Sequence, residues 1–271
     1  MSILKEIVDY KISVVASSSL KLPFKKLQEK VLANSQKDLQ RTERQIILNQ
    51  NWPKNKLRLI AEIKMKSPSR NVIRSNFDPI KLALDFQING AWAISVLTDE
   101  KYFGGSLEIF RAVRSTVDLP LLRKDFIIDT YQLWESKLIG ADIVLLIVGC
   151  LHENLEKFLR LALDLNLRVL IEVHTQQELD QTLNILQTSF VDSYSQIMLG
   201  INNRNLDTFE LDLKTSVTLK KSIPPNIFSV SESGIFSLND LELLQNNFFE
   251  AVLIGEGLAK NHDLLNFFKP E

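Results

Sequence analysis

"LRLIAEIKMKSPSR", residues 57–70, begins as a strand and ends as something else. Leu57, Leu59, Ala61 and Ile63 alternate with Arg58, Ile60, Glu62 and Lys64, so Glu62 and Lys64 share one face of a period-two element. A charge buried without a partner loses its hydration and gains nothing in return. Glu62, Lys64 and Lys66 therefore mark either a solvated strand end or part of a site. No G-x-G-x-x-G follows this first strand, which weakens an open dinucleotide-binding sheet.

Seven more runs rich in Val, Ile and Leu follow it: "AWAISVLT" from 91, "LPLLRKDF" from 119, "ADIVLLIV" from 141, "LRVLIEVH" from 167, "QIMLGINN" from 196, "NIFSVSES" from 226 and "EAVLIGEG" from 250. Amphipathic segments separate them, the alternation of parallel β/α units. In "HENLEKFLRLALDLN" the residues Leu155, Leu159 and Leu163 recur at fourfold spacing, and Ser237 stands where it can cap a helix through "DLELLQNNF". Eight strands that each feed a helix predict an α/β fold closed as a (β/α)8 barrel, which typically needs about 250 residues. The barrel domain is expected to span 1–271, with 1–50 as a helical extension packed on its mouth. Leu4, Ile7, Val8 and Val15 give that extension its apolar stripe. "QTSFVDSYSQ", 187–196, lacks periodicity and reads as a longer surface loop.

With 45% hydrophobic residues over 271 positions, the chain can bury a substantial core. Its net charge of -1 supplies no cationic excess for a nucleic-acid backbone. No apolar run reaches the ~18 residues of a membrane span, and "MSILKEIVDYK" lacks the apolar centre of a signal peptide. One cysteine, Cys150, excludes an intrachain disulfide framework and fits a reducing compartment. The expected location is cytoplasmic.

In a (β/α)8 barrel, chemistry collects where strands end. Glu62 and Lys64 end the first strand, Lys124 the third, Glu172 the fifth, Asn202 and Arg204 the sixth, and Glu232 and Ser233 the seventh. Any one of these alone is often an ion-pairing residue. Their convergence on one mouth points to a site. His174 is a tempting base after the fifth strand, but a lone histidine opening a loop is more often hydrogen-bonded or solvated. His152 and His262 are weaker candidates. No HxH, HExxH or Cys/His cluster suggests a metal. "SESGI" at 231 and "IGEGL" at 254 place glycines after the last two strands, where backbone N–H groups can cradle a phosphate.

The stretches "ILKEIV", "IAEIKMKSPSR", "AISVLTDEKYFGGS", "LRKDFIIDTYQ", "LIEVH", "GINNRNLDTF" and "SESGI" resemble the indole-3-glycerol phosphate synthase family of tryptophan biosynthesis. The resemblance implies a lyase that closes the ring of 1-(2-carboxyphenylamino)-1-deoxyribulose 5-phosphate, with loss of carbon dioxide and water and no cofactor. It implies Lys124 as general acid and Glu172 as general base, with Glu62, Lys64, Asn202 and Ser233 also in the active site. Ser67, Phe103, Phe126, Leu145, Arg204 and Glu232 would contact substrate. Ser233, Gly234, Gly255 and Glu256 would surround the phosphate, Glu256 through its backbone N–H because its carboxylate would repel the dianion. The expected partner is this phosphorylated small molecule, met by a monomer or weak homo-oligomer. Two positions depart from the family pattern: Asn71 stands where glycine is usual, and "GEGLAK" lacks the usual methionine. The rival readings are a phosphoribosylanthranilate isomerase-like barrel, which would share the phosphate site but not the Lys–Lys–Glu set, and a non-catalytic barrel, which would have lost a catalytic position.

Overall fold

The computed structural model describes residues 3–34, 39–49, 56–66, 77–205 and 208–269. Ser67 and Asn71 lie outside the described residues. Strands β1 (Arg58–Ile63), β2 (Ala93–Leu97), β3 (Leu121–Lys124), β4 (Ile143–Ile147), β5 (Arg168–Val173), β6 (Ile197–Asn202), β7 (Phe228–Glu232) and β8 (Ala251–Ile254) pair in parallel, in sequence order. Strand β8 returns to β1 through Arg58↔Ala251 and Ala61↔Ile254, so the barrel closes. Each strand falls inside one of the eight runs.

Helices α1 (Ile3–Lys21), α2 (Phe24–Asn34) and α3 (Leu39–Asn49) precede the barrel. Then come α4 (Pro79–Ile88), α5 (Glu100–Phe103) and α6 (Leu107–Arg114), α7 (Thr130–Leu138), α8 (Val148–Leu151) and α9 (Leu155–Asp164). The series ends with α10 (Gln176–Ser189), α11 (Lys214–Lys220), α12 (Leu238–Asn246) and α13 (Glu256–Lys260). None of the described helices is long and apolar enough to cross a membrane. Side-chain caps fix several starts: Asp78 accepts from Ile80 and Lys81 N–H, Thr175 from Glu178 N–H, and Ser237 forms a capping box with Asp240. Each such cap is worth about 1 kcal/mol.

Strand alternation sorts the core into two layers. Leu59, Ala61, Ile94, Val96, Val144, Leu146, Val169 and Ile171 face the surrounding helices. Ile60, Ala93, Leu122, Ile143, Leu145, Leu170, Met198, Val230 and Leu253 fill the barrel interior. Most strand positions below the mouth are thus apolar on both faces, as a parallel sheet covered by helices requires, with Ser229 and Ser231 of β7 as hydrogen-bonded exceptions.

Three details differ from the sequence reading. In α9 the buried stripe is Leu155, Phe158, Leu159 and Ala162, with Leu163 only partly buried, because a 3.6-residue helix drifts off a strict fourfold repeat. Residues 187–196 are not one long loop: α10 runs to Ser189 and a 3-10 helix covers Val191–Gln196. Within the extension 1–50, read as packed on the mouth, the described helices α1 and α3 lie at opposite barrel ends. Ile3, Leu4 and Ile7 of α1 line the mouth. Helix α3 instead meets the strand starts, where Arg44 Nε donates to both oxygens of Asp142 at 3.0 and 3.1 Å and Trp92 Nε1 donates to Ile47 O at 3.2 Å. The reason is charge and shape: Asp142 is a buried carboxylate beneath β4 that needs cations, and Arg44 and Arg114 supply them.

Candidate active site

At the C-terminal strand ends the interior changes from aliphatic to ionic. One residue beyond Ile60 and Leu122 in the inward series stand Glu62 and Lys124; beyond Leu170 and Val230 stand Glu172 and Glu232. Lys64 Nζ lies 2.5 Å from Glu62 Oε1. Lys124 Nζ donates to Glu172 Oε2 at 3.2 Å and lies 3.6 Å from Glu232 Oε2. Glu172 and Glu232 are each about 1% exposed, so these charges interact with little solvent screening.

The protonation pattern follows from that burial. Desolvation alone would lower Lys124, but the carboxylates of Glu172, Glu232 and Glu62 more than offset it and hold the ammonium well above its ordinary range. Glu172 would be raised by burial, yet Lys124, His174 and a hydrogen bond from Asn202 keep it below the ordinary carboxylate value. Glu232 goes the other way. Burial and the adjacent Glu172 charge push it well above the usual range, and neither of its oxygens has a hydrogen-bond partner among the described residues. The mouth therefore sets one ammonium between two buried glutamates whose proton affinities are pushed in opposite directions.

Two glycines make room for this cluster. A Cβ on Gly200 would overlap Oε1 of Glu232, and one on Gly255 would overlap Oε1 of Glu62. Register explains the first: Gly200 pairs with Glu172 on one side and with Val230 on the other, within the belt where the carboxylates converge.

The remaining sequence candidates divide into an apolar wall and a backbone cradle. Phe103, Phe126 and Leu145 line the cavity, the two phenyl rings 6.0 Å apart. Ser233 and Gly234, also on the lining, occupy consecutive left-handed positions, φ 67 and 77. Gly255 and Glu256 lie beside them on the lining. The Glu256 carboxylate is turned onto Arg204 Nη2 at 3.1 Å and Lys260 Nζ at 2.9 Å. Asn202 accepts from Arg204 N–H at 3.0 Å, which orders the β6 end.

Leu4 and Ile7, from the stripe expected to pack on the mouth, line it, and the sequence reading missed Ile3, Phe209 and Phe236 beside them on the lining. His174 is closer to the cluster than its sequence context suggested, with Nε2 3.4 Å from Glu172 Oε1 and Nδ1 3.6 Å from Glu178 Oε2. His262 contacts Asp85 at the surface, away from the mouth.

The model for the family described as indole-3-glycerol phosphate synthase matches residues 4–270. An indole-3-glycerol phosphate synthase of Dehalococcoides mccartyi is 42% identical over 266 residues, covering 97% of this chain and 96% of that protein. One from Chlorobium luteolum is 46% identical over 216 residues, 79% of each. Among solved structures, phosphoribosylanthranilate isomerase from Thermotoga maritima aligns with a TM-score of 0.55 at 13% identity, over 78% of this chain and 96% of that chain. That likeness concerns the barrel alone.

Proposed function

The chain belongs to the indole-3-glycerol phosphate synthase family, and from that premise we propose how its mouth carries out the reaction. The enzyme is a carboxy-lyase of tryptophan biosynthesis, which converts 1-(2-carboxyphenylamino)-1-deoxyribulose 5-phosphate to indole-3-glycerol phosphate. An aromatic carbon attacks a ketone, carbon dioxide leaves, and water is lost.

Lys124 is the acid for ring closure. The ketone oxygen becomes negative as the carbon–carbon bond forms, and a cation held in place by Glu172 and Glu232 is ready to protonate it. Lys64, at the edge of the mouth, holds the anthranilate carboxylate until decarboxylation restores the ring's aromaticity. Glu62 positions Lys64 through their ion pair. Glu172, kept ionised by its neighbours, is the base for the dehydration step. Phe103, Phe126 and Leu145 take the aromatic ring, and Asn202, Arg204 and Glu232 complete the substrate contacts. Backbone donors at Ser233, Gly234, Gly255 and Glu256 take the phosphate. This last assignment is supported by Glu256, whose carboxylate is neutralised by Arg204 and Lys260. Ser67 belongs to the same set by resemblance and lies outside the described residues.

The observation that carries these roles is the Lys124 ammonium between two buried glutamates. The test is indole fluorescence from the purified chain given its substrate, with Lys124→Ala and Glu172→Gln alongside. Product from the parent and nearly none from either variant supports the assignment. Undiminished turnover by either variant would overturn its role. A cytoplasmic setting is part of the same proposal, supported by the single cysteine.

A further inference from the structure

One lysine of the N-terminal helix is buried against the loops that follow β2 and β3. Lys11, on α1, is 2% exposed. Its Nζ lies 3.0 Å from Asp99 Oδ2 and 2.6 Å from Asp125 Oδ1. Asp125 directly follows Lys124. Asp99 caps α5, its Oδ1 accepting from Tyr102 N–H at 2.7 Å and Phe103 N–H at 3.3 Å. One ammonium thus touches both the loop after β2 and the loop after β3.

The two aspartates depend on it unequally. Asp125 also accepts from Thr98 Oγ1 at 2.6 Å, Arg123 Nη2 at 3.1 Å and Phe126 N–H at 2.8 Å. Asp99 is fully buried, and its Oδ2 has no hydrogen-bond partner beyond its ion pair with Lys11 among the described residues. A second, exposed contact runs between the same helices: Tyr102 Oη donates to Glu6 Oε1 at 2.8 Å, and the Tyr10 and Tyr102 rings meet edge to face at 5.8 Å. Helical spacing places Lys11 on the same face as Ile7 and Leu4, one and two turns earlier, and those residues line the mouth. Burial alone would lower the Lys11 ammonium, but Asp125 and Asp99 more than compensate, so it stays charged.

We propose that Lys11 is a positioning residue for substrate binding, clamping the apolar wall of α1 and the Phe103-bearing helix α5 into one register over the mouth. The proposal rests on the reading that the substrate's ring lies against Phe103 and the α1 wall. Lys124 keeps its place without the clamp, because Asp125 retains its other three partners. The predicted defect is therefore in KM rather than kcat.

A double-mutant cycle separates positioning from charge balance. Lys11→Met leaves Asp99 as a buried, uncompensated carboxylate, so it should lower the melting temperature and raise KM about tenfold or more, with kcat within about threefold. Asp99→Asn removes that stranded charge and still caps α5, since asparagine is as good a cap as aspartate. The Lys11→Met/Asp99→Asn protein should therefore regain most of the lost stability, yet keep the raised KM. Recovery of both would overturn the proposal and leave Lys11 a charge-balancing residue. The double variant also keeps the test alive if Lys11→Met alone does not fold. Hydrogen exchange of the full chain separates the two layers of the argument. Faster exchange in residues 3–10 and 100–103 is expected. Unchanged exchange overturns the clamp itself, whereas faster exchange with unchanged KM overturns the placement of the substrate against this wall.

Discussion

At the scale of the residue, Lys124 stands between two buried glutamates at the mouth of the barrel. In the proposed acid role its proton is needed only when the ketone oxygen turns negative, not while that oxygen is a neutral carbonyl. Lys124→Ala should lower kcat by about 10² to 10⁴, with little change in KM, in steady-state assays. Lys64→Ala should disturb both parameters, because the carboxylate it is proposed to hold is charged in the ground state too. A Lys124→Ala protein with normal kcat and a raised KM would move the acid role to Lys64. His174 offers a test by stability. Burial would lower its imidazole, but Glu178 and Glu172 hold it above its ordinary value. A raised folded-state value means the contribution is complete below about pH 6.5, the unfolded reference, and fades as pH rises through the folded value. His174→Gln should thus cost more melting temperature at about pH 5.5 than at about pH 9. An equal cost at both, read by thermal denaturation, would show that the charged ring contributes nothing.

At the scale of the element, the barrel strands present their chemistry by register, and Gly200 shows what register demands. Its neighbour across β7 brings Glu232 to where a Cβ would stand. Gly200→Ala should therefore displace that carboxyl, cutting kcat/KM by about 10²-fold, as a 1 Å misplacement does, while circular dichroism stays unchanged. Normal activity would mean that Glu232 can move without loss. This is also where legibility ended. The eight strands could be read because Val, Ile and Leu runs bounded by amphipathic segments have few other uses. Glu62, Lys124, Glu172 and Glu232 could be placed at one mouth because parallel strands share one C-terminal end. Neither the Gly200–Glu232 contact nor the Lys11 bridge could be read, since both depend on which residues of distant segments become neighbours. Helix α5 escaped for a different reason: four residues are too few to show a period. Residues 187–196 escaped because a helix end and a 3-10 turn leave no common repeat.

At the scale of the whole molecule, the segment ahead of β1 serves two ends of the barrel, and truncation should separate them. Removing residues 1–22 takes away Ile3, Leu4 and Ile7 at the mouth together with the Lys11 bridge, but leaves α2 packed through Leu27 and Val31 against Tyr131. Arg44 also stays on Asp142. Removing residues 1–45 takes Arg44 as well. Asp142 then keeps Arg114 Nη1 at 3.0 Å and the Leu121 N–H at 3.0 Å, but loses a bidentate partner in a fully buried setting. Breaking one side of a buried ion pair costs about 3–5 kcal/mol, and the remaining arginine softens that loss without cancelling it. The short deletion should therefore raise KM and, because it strips Lys11 from the buried Asp99 and Asp125, lower the denaturant midpoint of the barrel modestly. The long deletion should raise KM similarly and shift that midpoint clearly further downward. The two effects add because the mouth and the strand starts lie at opposite ends of the β-strands and share no partner. Equal stability of the two truncated chains would show that α3 is dispensable to the barrel. An unchanged KM in both would remove α1 from the substrate site.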